Sequence, residues 1–327
     1  MKTYSYKEIN KIPCLTWNWL KMNRASFEVE SDENICSDVA VENQTDTFLD
    51  IKGEKTEITA TKSGESVLLH FDFADGRTYS HEQTITAQEN SEITVVMDYT
   101  SGACDSGFST IKTHLIAKPY SKIHLIKVQL LGEKYVQIDD TDAVCEDGAL
   151  IDVTQIELGG SKTFAQVITD LNGYQAKFHS DTAFIAKDSQ VLDMNYLVNH
   201  FGQKTDTKMN VKGVVDGNAV KTYRGTIDFK NGCAGSTGDE QEETLLMSPT
   251  AINKSIPMIL CDEEDVAGTH GATLGRLSAE ELFYMNSRGI SEKEAKKMMS
   301  KAKIISVANL IPDESLKQKI FAFIGEE

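Results

Sequence analysis

A single histidine framed by small residues, in Asp265-Val-Ala-Gly-Thr-His270-Gly-Ala-Thr-Leu-Gly275, is the place where this sequence could do metal chemistry. It directly follows the acidic run Asp262-Glu263-Glu264-Asp265. A neutral imidazole gives one ring nitrogen to a metal, and its other nitrogen needs an acceptor that fixes the ring. Gly271 and Ala272 would let a second backbone come close to it. The alternative is a packed strand residue with no ligand. The other histidines are 70, 81, 114, 124, 179 and 200. None pairs at i+2 or i+4, so no local chelate is encoded, and a structural role is the default for each. Cys261, nine residues before His270, is a second candidate ligand, although burial as a small apolar side chain is the ordinary role of a free cysteine. Thiolates and imidazoles suit iron–sulfur sites. Such a site here would be assembled in three dimensions or shared between chains.

Other chemistry is excluded by pattern. The six cysteines contain no C-x-x-C pair, which removes zinc ribbons and thioredoxin motifs. Scattered over so long a chain, they read as free thiols. Gly159-Gly-Ser-Lys-Thr163 resembles the tail of a phosphate loop, but Ser161 stands before the lysine and no helix is expected after it, so no nucleotide is expected to bind. The acidic run lacks the alternation of an EF-hand loop and reads as a solvated strand end. The 327 residues carry a formal net charge of −17, which disfavours nucleic acid as a partner. The first twenty residues hold no apolar leader core, and no stretch has the ~18 apolar residues of a membrane span. A cytoplasmic protein is expected.

The elements that must position His270 are strands. From about Thr47 to Asp265 the text is β-rich, as in TEITATKSGESVLLHF, ALIDVTQIEL and YRGTIDF. Glycines punctuate it, Gly148, Gly160 and Gly173 about a dozen residues apart and Gly202, Gly217 and Gly232 about fifteen, and Asn172-Gly173, Gly217-Asn218 and Asn231-Gly232 are turn dipeptides. The spacing fits either a sandwich of antiparallel hairpins or a solenoid of short parallel strands. Before this lies a polar lead-in, residues 1–46, in which Pro13 and the Trp17/Trp19/Leu20 cluster read as a docked segment. After Gly275 the pattern turns helical. Ser278 with Glu281, and Ser291 with Glu294, are capping boxes, Gly289 is a stop, and Pro312-Asp313 opens a third helix. Leu282, Phe283, Tyr284 and Met285 make an apolar cluster that either packs on the β body or docks a partner. The divisions are a lead-in (1–46), a β core (47–268) and a helical region (269–327).

LIDVTQIELGGSKTF, VLDMNYLVNHFGQKTDT, YRGTIDF and VAGTHGATLGRLSAEELFYMNSRGISEKEA together resemble the SufB/SufD family of iron–sulfur cluster assembly scaffolds. The resemblance spans roughly residues 85 to 310. It implies a right-handed parallel β-helix with a C-terminal helical part, and so favours the solenoid. It implies a non-catalytic scaffold that pairs with a SufB-type partner through the β-helix and carries a SufC-type ATPase on its C-terminal helices. The docking surface would be Leu282, Phe283, Tyr284, Met285, Arg288 and Gly289. The histidine of the SufD branch falls on His270, which implies an iron or cluster ligand at a dimer interface, with the transient cluster or iron shared with the partner chain. Where the SufB branch has glutamates, this chain has Thr269 and Gly271, and its assembly cysteine falls on Ala251. Gly268 replaces a cysteine frequent in the SufD branch, and Glu242-Glu243 depart from the family pattern. The rival readings are a stand-alone homodimer with SufC and a carbohydrate-active β-helix enzyme.

Overall fold

The computed structural model describes residues 2–31, 35–73, 77–102, 106–276 and 278–325. From Lys55 onward, successive strands alternate between two sheets, so each strand pairs in parallel with the next but one. Ile123 lies beside Ile151, and further along Ser236 lies beside Val266, so one turn takes about thirty residues. The result is a β-solenoid of about seven turns followed by three helices. The sandwich alternative fails because its neighbours would be antiparallel. Among the described residues only Ala40–Asn43 and Phe48–Lys52, at the N-terminal end, join these two sheets in that sense.

The period-two alternation of each strand sends one face into the lumen between the sheets. Ile123, Leu125, Ile151, Val153, Phe178, Met194, Val198 and Phe229 belong to that core. The recurring glycines answer to stacking. A Cβ on Gly173 would lie 2.0 Å from the backbone nitrogen of Asp147, and one on Gly202 would lie 2.1 Å from the carbonyl oxygen of Gly173. At these corners one turn rests directly on the last, and only glycine leaves room.

The outer faces are partly covered. α1 (Ala279–Ser287), α2 (Glu292–Ala308) and α3 (Glu314–Phe323) follow the last strand. Both expected capping boxes form, and Asp313 caps α3. Ile304, Val307, Ile311, Leu316 and Ile320 of the α2–α3 segment cover Ile126, Val128, Ile156 and Ala183 on one sheet. α1 buries nothing. On the opposite sheet lies an antiparallel hairpin, Lys2–Ile9 with Ala25–Ser31. Phe27 stacks on Phe164 with centroids 4.3 Å apart, over Phe108, Val136 and Ile138. The lead-in therefore docks, but through Phe27, Tyr6 and the buried Ile12 rather than through the tryptophans. Trp19 is 94% exposed and Trp17 lies in the same outward loop. No helix among the described residues is long and apolar enough to cross a membrane.

The division placed at 268/269 falls inside a strand. The last strand runs Val266–Arg276, so His270 belongs to the solenoid and not to the helical tail.

Candidate functional site

His270 lies on the terminal strand of its sheet, which pairs on one side only, with Ser236–Leu246. The lumen-facing positions of that sheet form a ladder through Val95, Leu125, Val153, Ser180, Met209, Glu240 and His270. Through Met209 the rungs are apolar or small. The last two are a carboxyl and an imidazole. His270 is exposed although it points along the lumen-facing ladder, because no further turn stacks above it. This is the open mouth of the solenoid, and the strand's free edge leaves backbone donors and acceptors available to another strand.

One turn beneath, Glu240 is fully buried. Among the described residues neither of its carboxylate oxygens has a hydrogen-bond partner. Its carboxyl lies over Gly225 of the facing sheet, where a Cβ would come within 2.9 Å of both oxygens. Burial, reinforced by the neighbouring Glu242, pushes its pKa up to about 8, so it is largely neutral at pH 7. Glu242 is different. Burial alone would raise it, but the Lys221 ammonium and the hydroxyls of Ser255 and Thr244 outweigh that and hold it below the usual carboxylate range. Lys221 and Glu242 form a fully buried ion pair. The Tyr223 hydroxyl is buried with no hydrogen-bond partner among the described residues. Beneath the imidazole, then, lies a floor with one acid held neutral and one held ionised.

Cys261 ends the terminal strand of the facing sheet, Ile252–Cys261. Burial was the default for it, yet it is exposed, because it too lies in the last turn with nothing stacked above. Its Sγ donates to the carbonyl oxygen of Glu263 at 3.0 Å. No hydrogen bond joins Cys261 to the His270 imidazole among the described residues, and the thiol bonds instead to the backbone of the turn that follows it. Among the described residues no group of three or more His, Cys, Asp or Glu is arranged to hold a metal. Gly268 faces the lumen beside Phe229 and Ile259, and a side chain there would crowd both.

The remaining histidines have local duties. His200 is buried with Nδ1 2.7 Å from Thr205 and Nε2 2.9 Å from Thr207, and burial lowers its pKa to about 4, so it is neutral. His114 bridges Asp142 and Glu82. His70 pairs with Asp98 and His179 with Asp206. The acidic run lies in the turn before the last strand, where the Glu263 carboxylate accepts from the backbone nitrogen of Gly232 at 2.9 Å.

The predicted docking cluster is split by the helix. On α1, Phe283 is 75% and Tyr284 59% exposed, while Leu282 and Met285 are half-buried. The Arg288 guanidinium lies 5.2 Å from the Tyr284 ring centre. Gly289 takes φ 83°, as its place as helix stop requires.

Glu240 was not foreseen, and its signal was there. Strict alternation from Gly238 to Leu246 puts Glu240, Glu242 and Thr244 on the lumen side. Glu242-Glu243, the departure from the family pattern, divides the same way: Glu242 turns inward to Lys221, and Glu243 turns outward to Lys303 on α2.

The chain is thus a parallel β-solenoid with a terminal strand paired on one side, a lone imidazole at its mouth and a helical tail folded along one sheet. The chain matches the family model described as SUF system FeS cluster assembly, SufBD core domain, over residues 71–303. It belongs to that SufB/SufD family. Similar proteins include the iron–sulfur cluster assembly protein SufD of Bacillus subtilis (strain 168), 23% identical over 73% of this chain and 55% of the relative. The SufD of Escherichia coli (strain K12) is 27% identical over 52% of this chain and 40% of the relative. The SufB of Bacillus subtilis is 27% identical over 48% of this chain and 34% of the relative. The chain spans about half the length of these relatives or less.

Proposed function

We propose that the chain is a SufD-like scaffold subunit, non-catalytic by itself, that offers His270 to iron or a nascent cluster at a seam shared with a SufB-type partner. One observation carries this reading: the lumen-facing imidazole is exposed on an unpaired edge strand. A partner strand added there would continue the sheet, cover His270 and bring it the donors this chain lacks. Iron or the cluster is cargo. One imidazole cannot hold it, so the partner supplies thiolate or carboxylate ligands. The neutral Glu240 one turn beneath keeps a fixed negative charge from the mouth near pH 7.

The helical tail supports the second half of the reading. α2 and α3 are fixed to the β body, and α1 leaves Phe283 and Tyr284 outward beside Leu282, Met285, Arg288 and Gly289. These side chains are the surface for a SufC-type ATPase. Nucleotide-driven movement of that ATPase would then reach the seam through a tail anchored on the sheet that ends in His270. The chain itself is expected to bind no nucleotide and to hydrolyse no ATP. It would work in the cytoplasm.

The test is co-expression with a SufB-type and a SufC-type protein, followed by anaerobic reconstitution with iron and sulfide. His270→Ala should leave the complex intact and lower cluster yield. Normal yield removes the ligand role. Phe283→Ala with Tyr284→Ala should release the ATPase while the fold, read by circular dichroism, is unchanged; undiminished ATPase binding removes the docking role. Mass measurement by light scattering separates pairing with a SufB-type chain from pairing with a second copy.

A further inference from the structure

A pocket of about 470 Å³ lies between the N-terminal hairpin and the outer face of the sheet that ends in Ile252–Cys261, away from the solenoid mouth. Its charged lining is Lys21, Arg24, Lys162, Arg224, Lys254 and Asp193. Five of these six are cations, in a chain whose formal net charge is −17.

The single carboxylate is already spent. Asp193 is buried, and its Oδ1 accepts from the Arg224 guanidinium and from the Asn10 amide at 2.6 Å. Arg24 pairs with Glu8. That leaves Lys21, Lys162 and Lys254, which pair with no carboxylate among the described residues. Lys162 has only the Phe27 ring, 5.9 Å from its Nζ. Lys254 acts on Asp193 at a distance, and Lys21 sits in a turn of the hairpin loop with φ 54°. Three lysines without a paired carboxylate line one walled pocket, so its lining carries an excess of positive charge. A fixed arrangement of this kind is stabilised by an anion, and the low-dielectric walls raise the local potential that draws one in. Phe27 and Phe164 form part of the wall.

We propose that this pocket binds a small multivalent oxyanion, one with two or more clustered phosphate or carboxylate groups, and that the bound anion fastens the N-terminal hairpin to the solenoid. The volume suits a molecule the size of pyrophosphate or citrate. The hairpin supplies Lys21 and Arg24, and the solenoid supplies Lys162, Lys254 and Arg224. An anion between them would add bridges to the two already present, Arg224 Nε to the carbonyl oxygen of Met22 at 2.7 Å and the Asn10 amide to Asp193. Lys162 is the lysine of the imperfect phosphate-loop text, so this sequence feature serves a site built quite differently. The proposal stands apart from the role of His270.

Pyrophosphate and citrate are titrated separately into the full chain by calorimetry at fixed ionic strength, and tryptic cleavage after Lys21 and Arg24 is followed in parallel. The expected result is saturable 1:1 binding of at least one probe, with slower cleavage at both sites. Binding of pyrophosphate alone assigns phosphoryl groups, and binding of citrate alone assigns carboxylates. The double variant Lys162→Gln/Lys254→Gln, both half-exposed residues, should bind at least about tenfold more weakly. Lys21→Gln, on an exposed turn, should weaken binding without touching the solenoid. If neither probe saturates, or if the folded double variant binds as tightly as the parent, the proposal is overturned.

Discussion

The solenoid lumen holds two polar clusters of nearly the same composition, one in the middle and one at the mouth. In the middle, Lys127 donates to Asp139 and Thr141, each at 2.6 Å. Beside it Gln155 donates to Glu157 at 2.6 Å and accepts from Tyr196 at 2.7 Å. At the mouth, Lys221 pairs with Glu242, with Ser255 and Thr244 also donating, and Glu240 and Tyr223 stand nearby. Each cluster contains one buried Lys–carboxylate pair and one acid pushed up to about 8 by burial, Glu157 or Glu240. What separates them is position. The middle cluster has turns stacked on both sides, whereas the second has a single turn above it, and that turn carries His270. Similar chemistry is thus sealed in one place and one layer from solvent in the other. Polar composition alone therefore does not distinguish the two clusters; their distance from the edge strand paired on one side does.

The largest effect should come from breaking a pair that has no route to water. Asp139→Ala strands the Lys127 ammonium in the closed lumen and is expected to cost about 3–5 kcal/mol in urea unfolding. Glu242→Ala strands Lys221 one turn from the mouth, where water can relax the charge, and is expected to cost about 1–3 kcal/mol. Equal losses would mean that the mouth is as closed as the middle, and the contrast would fail.

The next effect is on pH dependence. A glutamic acid whose folded pKa is raised holds its proton in the folded state over a range where the unfolded chain has lost it. Stability therefore falls as pH rises from about 4.5 through about 8, and the loss is complete above the folded value. Glu240→Gln removes one such term. Its melting temperature should decline less than that of the parent between pH 6 and 9, by about 1–2 °C for each kcal/mol removed. Glu157→Gln should act with the same sign. Adding an SufB-type partner should enlarge the slope belonging to Glu240, by sealing the mouth, and leave that of Glu157 unchanged.

The fold was legible where it repeats. Alternation within strands and a turn signal every twelve to fifteen residues express two strands per turn. They could not separate solenoid from sandwich, because both use short alternating strands, and only the pairing partner differs. The capping boxes at Ser278 and Ser291 are local and formed as read. The tryptophans misled because aromatic content reports the capacity to bury and not its direction. Trp19 points outward, while the less conspicuous Phe27 does the docking. His270 could be singled out by its small neighbours. Glu240 could not be weighted from sequence, since its burial depends on a strand thirty residues away that stacks above it, and its orphaned oxygens depend on Gly225 in the other sheet.

His270→Ala is the substitution with the smallest expected effect on stability, and for that reason it probes the contrast most directly. The side chain is exposed, and no turn packs upon it, so its loss should change unfolding free energy by no more than about 0.5 kcal/mol. Val153→Ala, four rungs beneath it on the same ladder and wholly enclosed, should cost more than that through cavity formation alone. Cluster yield on the assembled complex should show the reverse order, reduced by His270→Ala and retained by Val153→Ala once the latter is folded. A ladder position matters for stability in proportion to the turns stacked on it. On the proposed reading it matters for assembly only at the rung where stacking is left to a partner. If His270→Ala destabilised the isolated chain as much as Val153→Ala, the imidazole would be an interior side chain like those below it, and the mouth would be merely the end of the fold.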